Sequence, residues 1–283
     1  MGSIGIQQNE FHGHASSSRL FDIGARTIIL VTGGLGGIGL AVSRTLLEHC
    51  ADIVSTDLPD QPPPEEWKSL QDVAQRTGSR LHYISCNATD EHSVANTFQK
   101  AEEVARYPIR GLVTLAGISG RSPAVDYKLS AFQKIMDVNV IGTFLCAQAA
   151  ARIMQKQMVS GSIVMFASMS GTNVNKGVDT CAYNTSKSAV LQMARNLAAE
   201  WGNDGTHPPI RVNTISPGYI ETPITMPTFN SLPGLKDLWQ GGNMLGRLST
   251  VDEHQSSVVF LLADGSSYMT ASDLRADAGH CAW

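Results

Sequence analysis

Apolar residues along this chain fall into two alternating spacings. Thr27-Ile28-Ile29-Leu30-Val31 is a short, mostly β-branched run closed by glycines, the pattern of a strand buried on both faces. Leu40, Val42, Leu46 and Leu47 then recur at helical intervals within 38–50. The same alternation predicts strands at 51–56, 81–86, 111–115, 162–166, 210–215 and 273–277. Helices are predicted for the polar stretch from the Pro62-Pro63-Pro64 loop to Gln75 and for 92–106, 130–157, 183–201 and 252–262. Seven short apolar strands separated by helices point to an α/β fold. The expected architecture is one doubly wound domain, a seven-stranded parallel sheet with helices on both faces. Residues 1–19 are polar, aperiodic and rich in Gly, Ser, Gln and His, which predicts a flexible tail before a single domain over 20–283.

Composition narrows the class. Of 283 residues, 42% are hydrophobic and 16% charged, which is ample for a core and too apolar for a disordered chain. Twenty-one basic side chains against 25 acidic ones leave a net charge of −4, so no basic excess draws nucleic acid or an acidic membrane. Apolar stretches are too short to span a bilayer. Cys50, Cys86, Cys146, Cys181 and Cys281 are scattered, with no CxxC pair and no Cys/His cluster at metal-ligand spacing. Free thiols in a reducing, cytoplasmic setting are expected, with no bound metal. The first residues carry neither a secretory leader nor a myristoylation signal.

The first predicted strand runs into Thr32-Gly33-Gly34-Leu35-Gly36-Gly37-Ile38-Gly39, and a helix follows. Glycines there allow a tight turn and a close backbone approach to a pyrophosphate, which the N–H groups of the helix start can receive. The spacing Gly33-x-x-x-Gly37-x-Gly39 differs from the commoner Gly-x-Gly-x-x-Gly. With Thr32 before it, the motif resembles the short-chain dehydrogenase/reductase family and so implies a Rossmann-type NAD(P)-binding domain. Asp57, at the end of the second strand, suits the ribose hydroxyls of NAD and would repel the 2′-phosphate of NADP. No Lys or Arg stands in the glycine loop or just after Asp57, so NAD is expected ahead of NADP.

Further along come Asn139, Ser168 and the pair Tyr183/Lys187 in Tyr183-Asn184-Thr185-Ser186-Lys187. The i, i+4 spacing puts Tyr183 and Lys187 on one helix face. Moving a hydride from an alcohol carbon requires the hydroxyl proton to leave in the same event. A tyrosine of ordinary pKa near 10 is a poor base unless a nearby cation favours the phenolate. The resemblance therefore implies Tyr183 as acid/base, Lys187 as its modifier and ribose anchor, Ser168 as the group that holds the substrate oxygen, and Asn139 as holder of a water. Ser170 competes with Ser168; Ser168-Met169-Ser170-Gly171 fits the family's Ser-x-x-Gly only from Ser168. The gap from Ser168 to Tyr183 is longer than in many relatives.

For the cofactor, the resemblance implies Thr32, Gly33, Leu35, Gly37, Ile38 and Gly39 around the phosphates and Asp57 at the ribose. It adds Asn87 and Ala88 at the adenine and Ala116 and Gly117 after strand four. Tyr183, Lys187, Pro217, Gly218, Ile220 and Thr222 would stand on the nicotinamide side. Two motifs depart from the family: Thr114-Leu115-Ala116-Gly117 stands for Asn-Asn-Ala-Gly, and Asp277-Ala278-Gly279 for Asp-Gly-Gly.

Residues 223–247 are too long for a connector and are expected to form a substrate lid. Its Ile224, Met226, Phe229, Leu232, Leu238, Trp239 and Met244 would be either a small lid core or a wall against an apolar substrate. The Ser-Met-Ser-Gly stretch and the ending Gly279-His280-Cys281-Ala282-Trp283 resemble fungal polyol and ketose reductases. The expected substrate is thus a small-molecule alcohol or ketone, either a polyol/ketose or a bulky alcohol of fungal secondary metabolism. An NAD-binding sensor, or a cofactor-assisted isomerase or cyclase, is the alternative on the same fold. Ala147, Ala150, Met154, Met158, Met193, Ala194 and Ala198 on the two long helices suit either helix–sheet packing or the homodimers and homotetramers common in the family.

Overall fold

The computed structural model describes residues 20–24, 28–222 and 225–283. The expected tail, residue 27 of the first strand and the opening of the lid at 223–224 lie outside the described residues. β1 (Ile28–Thr32) lies centrally in a seven-stranded sheet of order β3-β2-β1-β4-β5-β6-β7, every pair parallel. The other strands are β2 (Asp52–Asp57), β3 (Leu81–Ser85), β4 (Ile109–Thr114), β5 (Gly161–Phe166), β6 (Ile210–Pro217) and β7 (Asp273–Ala276).

Strand residues alternate between two cores, as the pleat requires. Leu112, Ile163 and Met165 face α3 (Glu91–Val104), α5 (Thr143–Lys156) and α6 (Cys181–Gly202). Val113, Val164 and Phe166 face α1 (Gly37–Glu48), α2 (Pro64–Thr77) and α9 (Gln255–Leu262). Both faces of the sheet are therefore covered, which explains the unbroken apolar strands. At the N-terminal side, Leu20 O accepts from Gly265 N at 2.9 Å and Phe21 packs on Phe260.

One feature differs from the sequence expectation. The region 130–157 is not one regular helix. α4 (Leu129–Met136) passes into a π-helical segment, Asp137–Gly142, before α5 begins. Of the Ala and Met residues considered for contacts between subunits, Ala147, Ala150 and Met154 are fully covered within this chain and Ala194 and Ala198 nearly so, whereas Met193 is partly covered and Met158 exposed. Helix–sheet packing accounts for the covered ones.

β2 and β3 lie on one side of β1, and β4 onward on the other. Thr32 and Thr114 are paired at the carboxyl ends of β1 and β4, where the chain's winding reverses. Open α/β sheets bind ligands in the crevice outside that point. Above it, α7 (Met226–Ser231) and α8 (Leu235–Gly241) occupy the expected lid.

Candidate active site

The glycine loop is shaped by contacts that leave no room for side chains. Gly33 has φ +68°, and a Cβ there would lie 2.5 Å from Ala116 N. A Cβ on Gly39 would lie 2.3 Å from Gly33 O, so α1 packs directly on the loop. Gly36 and Gly37 at the helix start are exposed, and no side chain caps the helix. Its first N–H groups therefore point outward with no intrahelical acceptor. Leu35 N donates to Asp57 Oδ2 at 3.0 Å, which fixes the acid at the loop's edge.

On the other side of the switch point, Lys187 is nearly buried and its Nζ donates to Phe166 O at 2.8 Å. Nζ stands 5.7 Å from the centre of the Tyr183 ring, as an i, i+4 pair on α6 allows. Burial pulls the Lys187 ammonium down to about 8 and pushes the Tyr183 phenol up, while the Ser168 hydroxyl facing that phenol acts in the opposite direction. Desolvation of the phenol is thus the dominant influence on Tyr183.

Ser168 rather than Ser170 faces Tyr183. Ser168 caps a short 3₁₀ turn, accepting from Ser170 N at 3.1 Å, and its hydroxyl donates to Ser170 Oγ at 3.1 Å. Ser170 Oγ points away and donates to Asn175 Oδ1 at 2.6 Å. The longer Ser-to-Tyr gap also has a place. Its Lys176 O accepts from the Trp239 indole of α8 at 2.9 Å, and Gly177 (φ +80°) lies against Leu235 and Leu238. The added length is the bed on which the lid rests.

Asn139 sits in the π-helical segment, fully buried. Its Oδ1 accepts from Ile118 N at 2.8 Å; its Nδ2 donates to Ile118 O and Ser186 Oγ, each at 2.9 Å. With both amide protons engaged, the side chain braces the loop after β4, and the Asn139 backbone carbonyl accepts from Thr143 Oγ1 at 2.8 Å. Gly117 lies between these groups: a Cβ there would come 3.3 Å from Asn139 Oδ1 and 3.7 Å from Lys187 Nζ.

The remaining positions are more dispersed. Asn87 Oδ1 accepts from Thr89 N at 3.1 Å and Thr89 Oγ1 at 2.8 Å, so its amide oxygen is already occupied rather than open to an adenine amine. Ala88 is approached by Gly142, where a Cβ would meet it at 3.2 Å. Gly218 lies against the Asp277 backbone, and Ile220 bridges to Ser249. Thr222 N donates to Thr225 Oγ1 at 2.9 Å. Sequence reasoning overlooked Ser186 and Thr143. Ser186 lies inside the Tyr–Lys motif and Thr143 four residues after Asn139, the one signal available for either.

The family profile described as Enoyl-(Acyl carrier protein) reductase matches residues 33–280. The chain belongs to the short-chain dehydrogenase/reductase family. It is 50% identical over 268 residues to the Aspergillus versicolor protein named short chain dehydrogenases/reductase notP′, covering 95% of this chain and 91% of that one. It is 34% identical to the ribulose-forming D-arabinitol 2-dehydrogenase of Candida tropicalis, covering 90% and 93%. The crystal structure of the NADPH-dependent 3-quinuclidinone reductase from Rhodotorula rubra superposes with a TM-score of 0.85 at 29% identity, over all of both chains. As a short-chain dehydrogenase/reductase, the protein is an NAD(P)-dependent oxidoreductase.

The residues present fit a dinucleotide. The uncapped, exposed start of α1 can receive a pyrophosphate, Gly33 and Gly39 keep its approach clear, and Thr114 Oγ1 is buried at the switch point without a partner. Among the described residues, no group of three or more His, Cys, Asp or Glu could hold a metal, and no helix is long and apolar enough to cross a membrane. The five cysteines are free.

Proposed function

We infer that this chain interconverts a secondary alcohol and a ketone with NAD, using Tyr183 as acid/base. The observation that carries the reading is the convergence of Ser168, Tyr183 and Lys187: the Ser168 hydroxyl faces the phenol, and Lys187 Nζ flanks its ring. The glycine loop and the start of α1 would hold the phosphates, Asp57 the adenosine ribose, and Lys187 the nicotinamide ribose. When bound, the nicotinamide supplies the hydride acceptor for alcohol oxidation and the donor for ketone reduction.

The residues divide the remaining work. Ser168 turns its hydroxyl proton from Ser170 Oγ to the substrate oxygen and sets that oxygen against the phenol. In oxidation, Tyr183 Oη takes the proton from the alcohol; in reduction, it returns one to the forming alkoxide. Such proton transfer is worth typically ~10²–10⁴-fold. Lys187 favours the phenolate by its charge, and Asn139 and Ser186 fix the depth at which α6 presents both groups.

We assign the substrate to the polyol/ketose class. The lid supports this: Leu235, Trp239 and Leu248 pack on Val178, Tyr219, Phe229 and Leu232, so Phe229, Leu232, Leu235 and Trp239 form a lid core rather than a substrate wall. The Ser168 hydroxyl beside Tyr183, backed by Ser170 and Asn175, suits a hydroxylated substrate, and the Candida relative is named for a polyol. Exposed Met226, Leu238, Met244 and Leu245 favour a second reading, a bulky apolar alcohol. NADH formation from NAD⁺ across sugar alcohols and bulky apolar secondary alcohols tests both. Turnover of the sugar alcohols is expected; turnover of the apolar set alone would transfer the assignment, and none from either, with NAD⁺ bound, would overturn it.

A further inference from the structure

The loop after β2 presents the acid that would meet the adenosine ribose, and β3 grips that loop by its backbone. Tyr83 Oη lies 3.2 Å from Asp57 O and donates to Pro59 O. Ser85 Oγ donates to the intervening carbonyl, Leu58 O, at 3.2 Å, and Cys86 N donates to Asp57 O at 2.7 Å. The carbonyls at 58 and 59 are thus held by hydroxyls of one neighbouring strand, and the carbonyl at 57 by the N–H that follows that strand. The Asp57 carboxylate is itself set by Leu35 N at 3.0 Å and Leu58 N at 2.7 Å.

The clamp is rigid at its far end too. The Trp67 ring of α2 meets Tyr83 edge-on, with centroids 5.6 Å apart. Burial, and then Asp57 and Asp60, push the Tyr83 phenol up to about 12, so it stays a proton donor across the physiological range. From Ser55 to Glu66 the chain carries Asp57 and Asp60 but no Lys or Arg. Lys68, the next cation, stands 4.0 Å from Asp72.

A ribose diol needs an acceptor in one place, whereas a 2′-phosphate needs the loop to swing aside and a cation to replace the acid. We propose that Tyr83 and Ser85 are positioning residues for cofactor selectivity: by holding the carbonyls of Pro59 and Leu58, they keep the Asp57 carboxylate where it accepts the diol of NAD and cannot yield to NADP. The proposal rests on the reading of Asp57 as the ribose acceptor.

The test is binding of NAD⁺ and of NADP⁺ to the full chain by calorimetry, without turnover. In the wild type NAD⁺ binds more tightly. Tyr83→Phe with Ser85→Ala removes two hydroxyls and keeps the Trp67 contact. It is expected to narrow the preference at least about threefold per bond lost. Ser85→Thr, which restores a hydroxyl, is expected to recover the Ser85 share. In an Asp57→Ala background the same pair of changes leaves the NAD⁺/NADP⁺ ratio where Asp57→Ala alone put it. A preference in the Tyr83→Phe/Ser85→Ala chain within error of the wild type overturns the clamp while leaving Asp57 its role. An undiminished effect in the Asp57→Ala background also overturns it. Wild-type binding that favours NADP⁺ overturns the Asp57 reading and the clamp together.

Discussion

Gly171 lies against the backbone of Lys187: a Cβ built on the glycine would stand 2.9 Å from the Lys187 carbonyl carbon and oxygen and 2.8 Å from Leu191 Cδ1. The glycine of Ser-x-x-Gly therefore lets the turn that carries Ser168 close onto α6, where Tyr183 is mounted. Gly171→Ala should push that turn outward by a few tenths of an ångström. Turnover is expected to fall about tenfold or more, since misplacement by an ångström can cost about 10²-fold. Overpacking of this kind costs roughly 1–3 kcal/mol in stability. Steady-state kinetics beside a thermal melt checks both, and wild-type turnover with a lowered melting point would separate packing from placement.

The buried pair Tyr183/Lys187 predicts two pH dependences. The phenol is pushed up, so the phenolate that accepts a proton is scarce at neutral pH. Alcohol oxidation should accelerate as pH rises above 7. Tyr183→Phe should be slower by about 10²–10⁴-fold and lack that limb, with cofactor binding retained. A rate profile that Tyr183→Phe leaves unchanged would remove Tyr183 from the chemistry.

Lys187 has the opposite shift, from its ordinary value down to about 8. Between that value and the unfolded pKa near 10.4, the unfolded chain binds the proton that the folded chain has released. Folding stability from this group therefore rises with pH across that window and levels off below it. Melting of the cofactor-free protein, compared with Lys187→Met from pH 7 to 10, should show the wild type gaining relative to the variant. Parallel curves would contradict the assignment.

Asp52 is fully buried at the start of β2, with Arg106 Nε donating to Oδ2 at 2.7 Å, Arg106 Nη2 donating to Oδ1 and Arg80 N donating to Oδ1 at 2.8 Å. Removing the guanidinium leaves a buried carboxylate with one backbone donor. Arg106→Met should cost about 3 kcal/mol, the low end for a broken buried pair because Arg106 itself stays partly solvated. Denaturant unfolding measures it; a loss under 1 kcal/mol would refute the argument.

Ala278 holds φ +55°, in the left-handed region that favours glycine. An L-residue in the left-handed region costs roughly 1–2 kcal/mol, part of which glycine returns through its freer unfolded state. Ala278→Gly is expected to raise stability by about 0.5–1 kcal/mol, a melting shift of about 2 °C for a chain of this size. A lowered melting point would show that Ala278's methyl packing outweighs the strain.

The strands and helices, their order and their doubly wound arrangement were legible in the sequence because burial on both faces of a parallel sheet imposes a local signature. Ile163 and Val164 are neighbours in the chain yet enter different cores, and such runs are read from a few residues at a time. The glycine loop, Asp57, Ser168 and the Tyr183/Lys187 pair were legible for the same reason, as residue types at short fixed spacing.

What only the tertiary structure decided depends on groups far apart in sequence. The π-helical segment at Asn139 answers to Ile118 and Ser186, 21 and 47 residues away. The alanines of α5 and α6 are covered by their own sheet, and the lid's aromatics by one another, because stacking Trp239 on Tyr219 at 3.7 Å buries more apolar surface than facing an open cleft. Periodicity says that a side chain is buried; only the assembled chain says against what.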